Sequence, residues 1–341
     1  MNLKELSSLL NLSQTTVSRA LGGYPEVSAR TRERVIEAAT RNNYRPNKRA
    51  QGLAIGKSFT IGHVMSTPNR EELANPIFGD FVSGITEISA AAGFSLLLTL
   101  TEPEAEAATY RKLKSEGSVD GVFLQSPTIS DTRIGLMHEV GIPFVVHGRA
   151  SGVSRPYSWV DVNNLRAFER ATTFLLELGH RRIALVNGDE KMDFATRRRN
   201  GYLAGLSGAG ISLTPEFISD GLMTEETGFR SARTMLSLPK RPTAFVVSSI
   251  ISAVGVRRAI QEAGLEMGRE VSLIAYDDDL SYFRNRSEVP VFTAMRSSVR
   301  QAGQEIARML IAQINSPDAS PESFLMETEL IVGASTAPAP V

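Results

Sequence analysis

The chain opens on two short runs in which apolar residues recur at helical spacing. Leu3, Leu6, Leu9 and Leu10 predict one face of a first helix, and Val17, Ala20 and Leu21 the inward face of a second. Gln14, Thr15, Ser18 and Arg19 then point outward. Asn11 tolerates the left-handed backbone of a tight turn, and Ser13 is placed to cap the second helix. A third helix is predicted from the capping Ser28 through Ala39, with Val35, Ile36 and Ala39 inward. The first two helices read as a helix-turn-helix, with the outward set as readers of a DNA groove. An amphipathic helix pair belonging to a larger helical domain fits the same residues.

From Phe59 the pattern changes to short apolar strands alternating with amphipathic helices. Strands are predicted over 61–65, 95–100, 121–124, 144–146, 183–186, 244–247 and 272–275. Helices are predicted over 78–92, 104–114, 131–140, 165–177, 197–205, 225–236, 253–263 and 299–314. Such a βαβ series implies parallel sheets covered on both faces. The series divides into two similar lobes near Trp159, with the chain crossing back near Ser297 and again near its end. A ligand in such sheets sits at the carboxyl ends of the strands, here in the cleft between lobes.

Charge sharpens this division. The chain carries 37 basic and 37 acidic residues, but residues 1–57 hold ten Lys and Arg against four Asp and Glu, a net +6 that leaves −6 on the remainder. A basic head is an electrostatic footprint for phosphates, and the acidic remainder is a poor nucleic-acid surface. With 42% hydrophobic residues the chain can fill two or three domains after the head. No apolar run approaches a membrane span, and Met1 precedes a polar helix rather than a signal peptide, so a soluble cytoplasmic protein is expected. There is no Cys, and the four His are scattered, so neither a disulfide framework nor a metal site is expected, and no cofactor.

Four segments taken together resemble the head and hinge of a LacI/GalR-type bacterial transcription regulator. They are Leu12-Ser13-Gln14-Thr15-Thr16-Val17-Ser18-Arg19-Ala20-Leu21, Val27-Ser28 with Thr31-Arg32 and Arg34-Val35, Asn43-Tyr44-Arg45-Pro46-Asn47, and Ala50 with Leu53. The resemblance continues from about Thr60 to Thr336. It implies a small all-α helix-turn-helix head on an α/β two-lobed periplasmic-binding-protein-like core with parallel sheets. It implies a helix-turn-helix DNA-binding domain over 1–46, a hinge helix or linker over 47–57, and an effector-binding and dimerisation core over 58–341. The N-lobe then covers about 58–158 and 297–325, and the C-lobe about 159–296 and 326–336. The protein is expected to be a homodimer on double-stranded, pseudo-palindromic operator DNA, switched by a small sugar effector.

On that reading Gln14, Thr15 and Arg19 meet base edges in the major groove, since Gln pairs with adenine, Arg with guanine, and Thr with the thymine methyl. Ser13, Thr16, Ser18 and Asn47 suit phosphate contacts, which position without reading sequence. The segment around Gly52 is either a plain linker or, by resemblance, a hinge helix formed on DNA that sends Ala50 and Leu53 into the minor groove.

For the effector, Ser66 and Asn75-Pro76-Ile77-Phe78 resemble the family's pocket lining, with Phe78 a candidate stacking platform. Arg149 offers a donor fork after its strand, while His147 beside it suits a structural role equally well. Arg198, by its position relative to Gly201, matches the family's effector-binding arginine, although three consecutive arginines more often face solvent. Asp277 retains the family's strand-end carboxylate. Ser248-Ser249-Ile250 departs from the usual Asn-Asp pair and leaves Ser249 as the polar candidate there.

Stretches 75–81, 144–149, 157–159 and 248–256 resemble the α-glucoside-operon repressors within this family, which implies maltose, sucrose or trehalose as the class of effector. Tyr157 and Trp159 suit sugar stacking or core packing. The proline-rich tail 334–341 lacks leucine heptads, consistent with a dimer. No catalytic constellation can be assembled, so an enzyme is not expected. A sugar-responsive activator or a corepressor-dependent repressor of the same family fits the sequence as well as an inducible repressor, and a sugar-binding protein without DNA function fits it less well.

Overall fold

Asn2 begins the first helix with a reciprocal cap, its side chain accepting from Glu5 N while Glu5 accepts from Asn2 N, each at 3.0 Å. Helix α1 (Leu3–Leu10) ends at Asn11 in the left-handed conformation, φ 51°. Ser13 caps α2 (Gln14–Leu21) and Ser28 caps α3 (Ala29–Arg41). The computed structural model describes residues 1–44, 56–66, 75–276, 279–282, 285 and 288–340, and these fall into two units, Met1–Phe59 and Thr60–Val341.

In the first unit Leu6, Leu10, Val17, Ala20, Val27, Val35 and Ala39 form the core. Two residues expected inside are outside: Leu9 is 57% exposed and Ile36 is 47% exposed. At about 100° per residue, the buried arc of α1 runs through Leu6, Leu10 and Ser7, and Leu9 lies beyond its edge. On α3 the arc is centred on Val35 and Ala39, which leaves Ile36 on the flank. Arg34 and Arg32 of α3 donate to the carbonyls of Leu10 and Tyr24, each at 2.8 Å, closing chain ends that the short helices leave open.

The second unit contains two six-stranded sheets. Lobe 1 is laid down as β1 (Thr60–Ser66), α4 (Pro76–Ala91), β2 (Ser95–Thr101), α5 (Glu106–Ser115), β3 (Gly121–Gln125), α6 (Thr132–Val140), β4 (Phe144–His147) and β5 (Ser158–Val162). Lobe 2 follows as α7 (Asn164–Glu177), β6 (Ile183–Val186), α8 (Asp193–Gly208), β7 (Ile218–Ser219), α9 (Glu225–Leu236), β8 (Ala244–Val247), α10 (Ile250–Glu262), β9 (Ser272–Tyr276) and β10 (Thr293–Arg296). The chain returns through α11 (Val299–Asn315) and β11 (Ser323–Met326) to lobe 1 and closes lobe 2 with β12 (Glu329–Ile331).

The strand orders match position for position: β11-β5-β4-β3-β1-β2 and β12-β10-β9-β8-β6-β7. Neighbours are parallel except β12, which runs antiparallel to β10. Two expected boundaries shift. Trp159 lies inside β5, which pairs with β4 and β11, so lobe 1 runs on to Val162 rather than ending at 158. Met326 likewise pairs with Val162 in lobe 1 and does not begin the C-lobe. Strand pairing rather than hydropathy decides both, because Ser158 and Asp161 are buried polar residues within β5.

Helices pack directly against one another at close range. A Cβ on Gly255 of α10 would lie 1.9 Å from Glu225 O of α9, and one on Gly84 of α4 would lie 2.1 Å from Arg300 O of α11. Among the described residues no helix is long and apolar enough to cross a membrane.

Candidate functional site

Helix α2 exposes Gln14, Thr15 and Arg19, whose side chains have no partner among the described residues. Ser18 and Thr16 are half-buried. The Ser13 hydroxyl accepts from Thr16 N at 3.0 Å and lies 2.8 Å from Thr16 Oγ1, so these two hydroxyls already serve the helix cap. The expected contacts Asn47, Ala50 and Leu53 lie outside the described residues.

In the second unit the segments that follow β3 and β4 meet the segment that follows β6, through Pro127, Thr128 and Ser151 on one side and Met192 and Asp193 on the other. Arg198 on α8 is 6% exposed and bridges three elements. Its Nε donates to Asn164 Oδ1 and its Nη1 to Ser248 O, each at 2.8 Å. Its guanidinium lies 3.9 Å from the ring centroid of Tyr276, 4.8 Å from that of Phe194 and 5.2 Å from that of Phe168. Its neighbours differ because successive helical residues face about 100° apart: Arg197 pairs with Asp193, and Arg199 with Glu190 at 3.0 Å.

The other candidates take distinct roles. Ser66 is half-buried at the end of β1. Phe78 is buried, with its ring 6.1 Å from that of His63, and so forms wall rather than an open stacking platform. Ser249 is fully buried and its hydroxyl caps α10 by accepting from Ile251 N at 3.0 Å, which spends it on structure. Arg149 donates through Nε to Asp161 at 2.6 Å and lies 4.9 Å from the Trp159 ring centroid, so its guanidinium is held against β5. Asp277 lies outside the described residues.

Two imidazoles line lobe 1. His63 stacks on Phe123 at 4.3 Å and His147 on Phe81 at 4.5 Å. Burial holds both neutral, with their pKa values lowered to about 4.

The lobes are joined by groups that sequence reasoning missed. Asp193, 1% exposed on α8, accepts from Ser151 N of lobe 1 at 2.7 Å and also from the Ser151 hydroxyl. Asp193 N donates to Pro127 O at 3.0 Å, beside an antiparallel bridge between Thr128 and Met192. On the other flank Ser281 N donates to Asp80 Oδ2 of α4 at 2.6 Å. The hydrophobic pattern predicts this helix only from 197 and so leaves Asp193, in fact its first residue, outside it. Asn164 and Tyr276, the other partners of Arg198, carried no signal of their own.

A buried guanidinium among aromatic rings suits an uncharged polyhydroxyl ligand. No group of three or more His, Cys, Asp or Glu among the described residues is arranged to hold a metal ion. A three-helix head presenting a reading helix, with a two-lobed core containing such a cleft, defines a helix-turn-helix regulator governed by a small molecule.

Comparison with known proteins gives the family. Residues 2–47 match the family model described as bacterial regulatory proteins, lacI family, and residues 172–336 match the periplasmic binding protein-like domain. The HTH-type transcriptional regulator AglR of Rhizobium meliloti (strain 1021) is 46% identical over 340 residues, 99% of this chain and 95% of that protein. RafR of Escherichia coli, also an HTH-type transcriptional regulator, is 34% identical over 334 residues, 95% of this chain and 94% of its own. Among solved structures, the lac repressor dimer bound to operator and the anti-inducer ONPF superposes with TM-score 0.82 at 26% identity, covering 99% of both chains. The transcriptional regulator CelR in complex with cellobiose gives 0.73 at 28% identity, covering 98% of this chain and 99% of that one. The chain belongs to the lacI family of bacterial regulatory proteins: it is a DNA-binding transcriptional regulator and not an enzyme.

Proposed function

We propose that this regulator is a cytoplasmic homodimer that represses a sugar-utilisation operon and is released from a pseudo-palindromic operator when a disaccharide, an α-glucoside such as maltose, sucrose or trehalose, enters the cleft. Gln14, Thr15 and Arg19 read bases, and Ser18 contacts phosphate with Asn47. Ala50 and Leu53 enter the minor groove. Arg198 is the principal sugar donor, with Ser66 and Asp277 completing the polar lining.

The observation that carries the reading is Arg198, which is fixed by Asn164 and Ser248 and faced by Tyr276, Phe168 and Phe194. Sugars bind through a few placed polar groups with apolar faces on rings, and this side chain offers both at no further ordering cost. A relative solved with cellobiose supports a disaccharide, and the likeness of stretches 75–81, 144–149 and 248–256 to α-glucoside repressors supports the linkage. Release follows from linkage: the sugar must bind the DNA-incompetent arrangement more tightly, by roughly 10⁴-fold for a nearly complete switch.

The test is a gel-shift titration on the promoter DNA at fixed salt with a panel of disaccharides. Release by one α-glucoside is expected. Binding that no sugar alters would overturn the cleft assignment, and binding strengthened by sugar would make the ligand a corepressor or coactivator.

A further inference from the structure

Beside the cleft, on the flank formed by β5 and β11, lies a depression of about 360 Å³. Its walls include Arg149, Arg155 and Trp159 of lobe 1, Arg197 of lobe 2, and Glu322 with Ser323 at the entry to β11. Three guanidinium groups share this wall with a single carboxylate, that of Glu322.

Two of the arginines are anchored from behind. Arg149 and Arg197 each give Nε to a carboxylate, Asp161 and Asp193, whose side chains are 5% and 2% exposed. The arginine side chains themselves are 25% and 23% exposed, so a ligand meets the donors and not the acids. Their outer nitrogens, and the whole guanidinium of the exposed Arg155, have no partner among the described residues. Trp159 is a poor sugar platform, because Arg149 covers its ring at 4.9 Å and its body packs against the lobe 1 core. What remains is a donor-rich recess with pre-oriented guanidinium forks, a geometry that matches phosphate oxygens. Tyr157 fixes the loop that bears it, its hydroxyl accepting from Ala150 N at 2.8 Å.

The recess also spans the lobe junction. Ser151, another wall residue, and Arg197 are both partners of Asp193. We propose that this flank is a second ligand site, for the phosphate group of a small phosphorylated metabolite, complete only while Asp193 joins the two lobes. A phosphate held there favours the joined arrangement and thereby tunes the response to the ligand in the cleft. The site does not depend on which sugar fills that cleft.

The chain has one tryptophan, Trp159, so its fluorescence reports directly on the recess. The full-length protein is titrated with glycerol 3-phosphate and with inorganic phosphate, glycerol serving as the neutral control, and calorimetry runs in parallel. Both phosphates are expected to give a saturable fluorescence change and glycerol none. Arg155→Ala, at an exposed position whose loss leaves packing intact, is expected to weaken phosphate binding about tenfold. Asp193→Asn, which loosens the Arg197 anchor, weakens it as well. Absence of saturable binding by both methods, or binding indifferent to Arg155→Ala, overturns the proposal. So does displacement of phosphate by a neutral disaccharide, which would place the anion in the cleft.

Discussion

The head and the core handle polar side chains in opposite ways. Gln14, Thr15 and Arg19 are exposed and have no partner among the described residues, on a unit whose described core is seven buried apolar side chains. Arg198, Asp193 and Asn164 are buried and hydrogen-bonded to groups on other elements. A reader of DNA exchanges water for bases and phosphates along an open surface, so its scaffold need only point side chains outward. A cleft that discriminates among sugars must fix its donors before the ligand arrives, since ordering them on binding costs affinity. Substitutions in the core should therefore damage stability and function together, whereas those at the head's readers should damage function alone.

The largest expected effect tests the packing beneath that contrast. Gly255→Val places a side chain where even a Cβ lies 1.9 Å from Glu225 O, so α9 and α10 must separate. A loss above about 3 kcal/mol is expected by urea unfolding. A loss below 1 kcal/mol would show that the helix pair yields. Next is Arg198→Ala, which orphans Asn164 Oδ1 and Ser248 O inside lobe 2. About 3 kcal/mol of stability and at least a hundredfold of sugar response should disappear together. Loss of sugar response at full stability would contradict the claim that the donor is built into the fold.

Acid should act on the core as well. His63 is 4% exposed, with Nδ1 at 3.0 Å from Phe123 O, and burial lowers its pKa from 6.5 to about 4. The unfolded chain takes up a proton near pH 6.5, and the folded one resists until about pH 4. Stability is therefore full above that window and declines as the pH falls through it. Between pH 7 and 5 the decline from this group is about 2 kcal/mol. Measured by denaturant midpoint, it should shrink in His63→Phe. An equal decline in that variant would assign the acid sensitivity elsewhere.

Much of this organisation was legible because it rests on local chemistry. Ser13, Ser28 and Asn11 mark helix ends through their own hydrogen bonds and backbone preference, and all three sit where expected. Periodicity located the apolar arcs but not which side had neighbours, hence Leu9 and Ile36. Strands β5, β7, β10, β11 and β12 were missed because each is short and interrupted by polar or charged residues, whereas β4, β6 and β8, no longer, are almost wholly apolar, and β11 is paired only with β5, far back along the chain. Trp159 misled the lobe boundary because Asp161, two residues on, looks like a loop residue until Arg149 pairs with it. Among Arg197, Arg198 and Arg199, composition cannot say which faces the sheet. That depends on the rotation of α8, which packing against α7 sets.

The smallest effect bears most directly on the head. Ser13 was expected both to cap α2 and to touch phosphate, and its hydroxyl, bonded to that of Thr16, does cap the reading helix. If the cap is its role, Ser13→Ala removes about 1 kcal/mol from the stability of the head, and Ser13→Asn, also a good cap, restores it. Operator binding then weakens by the same factor at every salt concentration, because no ion is released or retained differently. If Ser13 instead positions phosphate, Asn rescues stability without rescuing affinity. Both outcomes differ from loss of Arg19, where the slope of log affinity against log salt falls by about one if it meets phosphate, and base preference relaxes if it meets guanine. Measuring slope and sequence preference on the same three variants separates a scaffold residue from a reader, the distinction on which the contrast between head and core stands.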